Sequence, residues 1–154
     1  MSHTPLSVEK ITRYKTPDES PGYLLWRVST YWRSAIEEVL KQHDLTHPQF
    51  VILATTAWLT RDNKKISQID ISKASGLDPN TTSQILRGLE KKKLIKRTRS
   101  LNERSKNPAL TTLGNERLAL AMPAVEQADE AFFSTLNAQK TTDLITFFHT
   151  LLNR

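Results

Sequence analysis

The chain has no cysteine among its 154 residues. Disulfides, thiolate nucleophiles, thiol redox sensing and cysteine metal sites are therefore excluded together. Only four glycines are present, and none sits in a glycine-rich phosphate loop. No apolar run approaches the ~20 residues needed to span a bilayer. The opening stretch MSHTPLSVEKITRYKTPDESPG has no apolar signal-peptide core. A cytoplasmic protein without membrane contact is expected. Catalysis has little to stand on, since the adjacent acid pairs Asp18-Glu19, Glu37-Glu38 and Asp129-Glu130 fall on expected surfaces. No serine is matched to a positioned base. Neither an enzyme nor a cofactor-bound protein is expected. His43 and His47 are four apart, but a helix break at Thr46 separates them, so no metal site is assigned.

What the chain does contain is unevenly placed charge. Between Arg61 and Asn107 there are thirteen basic and five acidic residues, a net of +8, whereas the remainder has nine basic and eleven acidic residues, a net of −2. A solubilising surface normally mixes both signs. A basic middle between near-neutral ends is the footprint of a polyanion site on a larger scaffold.

The hydrophobic spacing orders the elements. The first 19 residues are polar, with two prolines, and read as a loose arm. Ser20-Pro21 opens a helix carrying Leu24, Val28, Tyr31, Ile36 and Leu40 to about Gln42. Thr46 and Gln49 form a T-x-x-Q capping box, stapled by Leu45 and Phe50, for a second helix to about Thr60. Ser67 and Asp70 open a short third helix that Gly76 stops. Asp78-Pro79 opens a fourth, ending near Lys92. Leu94–Thr98 and Ala109–Thr111 read as a small hairpin around a basic turn, Ser100 to Pro108. A long helix follows through Leu118, Val125 and Phe132, with a kink expected at Pro123, and a last helix carries Leu144 to Leu152. Short helix, tight turn, helix and hairpin make a winged helix-turn-helix, and the basic window coincides with it.

On the fourth helix, Thr82, Ile85, Leu86 and Leu89 recur at core spacing. Asn80, Thr81, Ser83, Gln84 and Arg87 face the other way, with no acid until Glu90. Glutamine suits adenine N6/N7, arginine suits guanine O6/N7, and serine or threonine suits base edges or phosphate. Arg97, Arg99 and Lys106 read as phosphate contacts. Lys91 to Lys93 fit equally well as phosphate contacts or as cations stabilising a helix C-terminus.

Several segments in order carry a family resemblance. They are Leu45-Thr46-x-x-Gln49-Phe50-x-x-Leu53, then Ile69-x-x-x-x-x-x-Gly76-Leu77, then Leu89-Glu90-Lys91-Lys92 with Leu94-Ile95-Lys96-Arg97, and Arg104 with Leu110-Thr111-x-x-Gly114. Together, over residues 20–153, they resemble the MarR (multiple antibiotic resistance regulator) family of winged helix-turn-helix transcriptional regulators. The resemblance implies a mainly α fold with a small β-hairpin wing, flanked by N- and C-terminal dimerisation helices. It divides the chain into an arm of residues 1–19 and a single domain of 20–154, with the DNA-binding lobe at 46–113 and dimerisation helices at 20–45 and 114–154. It implies a homodimer on a pseudo-palindromic double-stranded operator, repressing until an effector releases it. It gives Arg104 the wing tip and the minor groove. Two positions depart from the family. Asn102 stands where an aspartate is usual, and Lys93 stands where a glycine is usual.

Leu144, Phe147, Phe148, Leu151 and Leu152 fit the dimer helix, the alternative being an intramolecular core. The family's small aromatic or anionic effectors bind between the dimer helices and the DNA-binding lobes. Tyr23, Trp26, Arg27, Tyr31 and Trp32, with His43, His47 and Phe50, are candidates to line such a pocket, or else pack in the core and dimer. Two other functions remain open at this point: a winged-helix module for protein or non-specific nucleic-acid binding, and an enzyme or carrier using the fold.

Overall fold

Side-chain caps set the helix boundaries. Thr46 and Gln49 form the reciprocal capping box, with the Gln49 N–H donating to Thr46 Oγ1 at 3.3 Å and the Thr46 N–H donating to Gln49 Oε1 at 3.2 Å. Ser67 and Asp70 repeat the device, Asp78 caps with Pro79 at the first helical position, and Thr111 and Asn137 cap the last two helices. The resulting order is α1 (Pro21–Lys41), α2 (His47–Thr60), α3 (Gln68–Ser75), α4 (Pro79–Lys91), β1 (Ile95–Arg99), β2 (Lys106–Leu110), α5 (Thr112–Phe133) and α6 (Ala138–Leu152). Short 3-10 turns lie at Val8–Lys10, Pro17–Glu19 and Arg61–Asn63.

The computed structural model describes residues 7–99 and 106–153. Asn102 and Arg104, and the side chains of Arg99 and Lys106, lie outside the described residues. The chain divides into two compact units, residues 1–34 and 35–154, with the break inside α1.

In the second unit, α2 packs against α3, α4, α5 and β2. The core there includes Ile36, Leu40, Ile52, Leu53, Ile71, Leu86, Leu89 and Leu94, each fully covered. The staple residues Leu45 and Phe50 are buried as their spacing predicts. Among the described residues three polar residues are buried with them, and each hydroxyl donates to a backbone carbonyl: Thr56 to Ile52, Ser72 to Leu77 and Thr82 to Asp78. The Ser72 bond ties α3 to the turn beyond Gly76, whose φ of 73° supplies the left-handed stop.

The hairpin is longer than its composition suggests, because β2 includes Pro108. The Thr111 N–H donates to the Leu94 carbonyl, so in the register Ile95↔Leu110, Lys96↔Ala109, Arg97↔Pro108 the proline falls at a non-hydrogen-bonded pair. Its missing N–H therefore removes nothing from the ladder. The long helix α5 runs through Pro123 as one helix.

The terminal helices carry apolar surface outward. In the first unit, Leu24, Leu25, Trp26, Val28 and Tyr31 on α1 are exposed. In the second, no residue of α6 is buried, and Ile145, Phe147, Phe148, Leu151 and Leu152 are exposed. Among the described residues no helix is long and apolar enough to cross a membrane.

Candidate nucleic-acid interface

The α4 helix is anchored by Leu86 and Leu89, both at zero exposure. Burying each contributes about 1.5–3 kcal/mol. That fixes the opposite face outward. Asn80, Gln84, Arg87 and Lys91 are all exposed and follow one another by four, three and four residues, a single stripe along the helix. Ser83 is half-buried and accepts a 3.2 Å hydrogen bond from Arg87 Nη2, which steers the guanidinium along this face. Thr81 is half-buried and committed to the cap. Its N–H donates to Asp78 Oδ1 at 2.9 Å, and its hydroxyl donates to the other carboxylate oxygen. These two bonds hold the Asp78 carboxyl below the usual carboxylate range, the hydroxyl's contribution being the larger.

Arg97 differs from the phosphate contact that its charge and position predict. Its side chain is only 10% exposed and donates through Nη2 to the Glu90 carboxylate, and through Nη1 to Gln68 Oε1 at 3.3 Å. Glu90 raises the Arg97 pKa. In strand register Arg97 pairs with the buried Pro108, so its side chain turns toward α3 and α4 rather than outward. Arg97 thus joins the start of α3, the end of α4 and the first wing strand.

Lys92 is likewise spent internally. Its Nζ donates to the Asp44 carbonyl at 2.6 Å, to Asp44 Oδ1 at 3.1 Å and to Gln49 Oε1 at 3.2 Å. Arg117 on α5 reaches the same turn, donating to the His43 carbonyl at 2.8 Å and standing 3.6 Å from Asp44 Oδ2. Lys92 depresses the Asp44 pKa most, with Arg117 adding to it. Lys91 and Lys93 remain exposed. Lys93 adopts the left-handed φ of 60° that the family's usual glycine would take without strain.

The residues expected around an effector divide between the units. Tyr23, Trp26, Arg27, Tyr31 and the half-buried Trp32 belong to the first, where the Arg27 guanidinium lies over the Tyr23 and Tyr31 rings at 5.9 and 5.7 Å. His43, His47 and Phe50 belong to the second. Phe50 is 7% exposed because it staples the α2 start, so it is a core residue rather than a pocket wall. A groove that composition alone does not reveal lies elsewhere in the second unit. It has a volume of about 620 Å³ and is lined by Ala54, Thr55, Ala57, Trp58 and Arg61 of α2 and its following turn, Ala74 of α3, and Leu118 and Met122 of α5. The Arg61 guanidinium stacks on the exposed Trp58 ring at 4.1 Å. The one cue in sequence is an arginine three residues after a tryptophan at a helix end.

A short helix, a glycine-stopped turn, a polar-faced helix seated on the core and a two-stranded wing define a winged helix-turn-helix protein. A family profile described as "Transcriptional regulator SarA/Rot" matches residues 34–106. The HTH-type transcriptional regulator YdcH of Bacillus subtilis is 34% identical over 131 residues, covering 80% of this chain and 84% of that protein. The solved complex of Staphylococcus aureus MepR with DNA superposes with a TM-score of 0.79 at 27% identity, covering 87% of this chain and 97% of that one. The MarR-family protein Rv2887 of Mycobacterium tuberculosis, solved with p-aminosalicylic acid, gives a TM-score of 0.66 at 26% identity, covering 86% and 98%. The chain belongs to the MarR family and is a transcriptional regulator of the winged-helix type, a family of regulators rather than of enzymes.

Proposed function

We propose that the protein is a cytoplasmic homodimeric repressor that reads a pseudo-palindromic DNA operator through α4 and is released by a small aromatic acid. The observation that carries the DNA reading is the exposed α4 stripe of Asn80, Gln84, Arg87 and Lys91, free of acids and backed by buried leucines. Gln84 and Arg87 carry base recognition and Lys91 a phosphate. The relative MepR, solved on DNA, supports the same use of the fold. The wing residues Arg99, Arg104 and Lys106 complete the proposed contact set.

Selection of bound duplex from a random library tests this reading. A palindrome with half-sites about one helical turn apart is expected. Gln84→Ala and Arg87→Ala should each reduce the preference for that site over random duplex by about 1–3 kcal/mol. Uniform weakening on all duplexes would point instead to non-specific binding, and no enriched sequence would sink the reading.

The dimer is supported by α6, whose Phe147, Phe148, Leu151 and Leu152 are exposed although the helix is amphipathic. Light scattering should give twice the mass of one chain, and Phe148→Asp should lower it.

The effector is supported by the groove beside Trp58 and Arg61. Its apolar walls suit an aromatic ring, and Arg61 is its one charged lining residue among the described residues. Rv2887 was solved with salicylic acid and with p-aminosalicylic acid. Salicylate should weaken operator binding, and Arg61→Gln should blunt that response. An unchanged response in Arg61→Gln would remove this groove as the effector site.

A further inference from the structure

Arg61, Lys64 and Lys65 are cations of the basic window that precede the helix-turn-helix and stand outside both the recognition helix and the wing. They line one wall of an open cleft of about 720 Å³, between the turn after α2 and strand β2. The other walls carry Thr98 and Asn107, paired across the outward face of the wing hairpin, and Asn115 at the start of α5. We propose that this cleft is a second phosphate site, which holds the DNA backbone beyond the groove that the wing enters.

Charge is the first argument. Asp62 is the sole acid lining the cleft among the described residues, so the wall carries a net of +2 from Arg61, Lys64 and Lys65. Lys64 and Lys65 are exposed, and neither is joined to a carboxylate among the described residues. That contrasts with Arg97, Lys92 and Arg117, whose charges are spent on Glu90 and Asp44. Three exposed cations around one acid leave a local excess of positive charge, and such an excess draws a polyanion.

Geometry is the second. Arg61 is held in place rather than free, because its guanidinium lies 4.1 Å from the Trp58 ring centroid and its Nη1 donates to the Trp58 carbonyl at 2.7 Å. A threonine hydroxyl and amide side chains opposite supply the uncharged donors that accompany lysine at phosphodiester oxygens. Continuity decides the occupant. One wall of the cleft is the wing's own second strand, so a duplex engaged by the wing continues past the lysines. A free phosphate or nucleotide shares the chemistry but gains nothing from the neighbouring wing.

This inference rests on the DNA-binding reading, and the test separates the two. Binding of the full chain to a random-sequence duplex of about 40 base pairs, roughly four helical turns, is followed against salt concentration. Lys64→Gln with Lys65→Gln should reduce the slope of log affinity against log salt by about 1.8, near 0.9 for each phosphate released. Each single variant should remove about half of that. A charge-matched control, Lys10→Gln with Lys140→Gln, should leave the slope as it is. An unchanged slope in the cleft variants, with wild-type binding intact, overturns the phosphate site alone. Absence of wild-type binding to any duplex overturns both readings. Inorganic pyrophosphate, followed by calorimetry, covers the other source. If the cleft variants lose pyrophosphate binding while the duplex slope stays unchanged, the occupant is a free anion and the DNA-backbone proposal falls.

Discussion

The carbonyl oxygen of Leu94 lies against the α-carbon of Gly114, so that a Cβ built there would stand 2.0 Å from it. The same oxygen accepts the Thr111 N–H at 3.0 Å, and the Thr111 hydroxyl donates to the Lys93 carbonyl at 2.6 Å. The root of the wing is thus closed onto the first turn of α5 by backbone, with no room for a side chain. Gly114→Ala forces backbone apart and should cost about 3 kcal/mol, the upper end of overpacking. Urea denaturation checks it. A loss below about 0.5 kcal/mol, the range of ordinary surface changes, would contradict the close approach.

Breaking the pair of Glu90 and Arg97 should also be expensive. Arg97 is 10% exposed and Glu90 31%, so Glu90→Ala leaves a largely covered guanidinium without its counter-charge. A fully buried pair broken in this way loses about 3–5 kcal/mol, and partial exposure of Glu90 brings the expectation to about 2–3 kcal/mol. Replacing both residues by leucine should recover most of the loss. The double variant also checks the internal role of Arg97. Its DNA-binding salt slope should match the wild type, whereas a phosphate contact would lower the slope by about 0.9.

These two nodes mark where sequence becomes opaque. The caps at Thr46, Ser67 and Asp78 depend on residue types within four positions, so spacing alone reveals them. The inward leucines of α4 follow from helical periodicity in the same way. Arg97 is different. A cation seven residues from Glu90 faces either DNA or the core according to strand register, and that register depends on how β2 pairs. Pro108 argues locally against a strand, and only the pairing turns its missing N–H to the outer edge. The groove at Trp58 draws its walls from α2, α3 and α5, and no local pattern records that meeting.

Lys93 should be improved by the residue it replaces. It holds φ at 60° and its side chain is exposed, while the backbone bonds of the turn run through its N–H to Glu90 and its carbonyl from Thr111. A non-glycine residue in this region bears roughly 1–2 kcal/mol of strain. Glycine relieves that but loses more chain entropy on folding, about 0.5–1 kcal/mol. Lys93→Gly should therefore stabilise by about 0.5–1 kcal/mol in thermal or urea melts. Destabilisation would show that the lysine side chain makes a contact outweighing the strain.

Acid should weaken the helix-turn-helix through its caps. The Thr81 hydroxyl and N–H depress the Asp78 pKa, and the Ser67 N–H and hydroxyl depress that of Asp70. A carboxyl whose folded pKa is lowered contributes stability that is complete above its unfolded value, near 3.9, and is lost as pH falls through the folded value. The melting temperature should therefore change little through these groups from pH 8 to about 5, then fall as the pH drops through about 4 and below. Asparagine caps nearly as well as aspartate but does not titrate. Asp78→Asn should leave stability near neutral pH almost unchanged and flatten part of the acid limb. An acid limb of wild-type steepness in Asp78→Asn would assign that loss to other carboxyls, with Asp70→Asn as the next variant to measure.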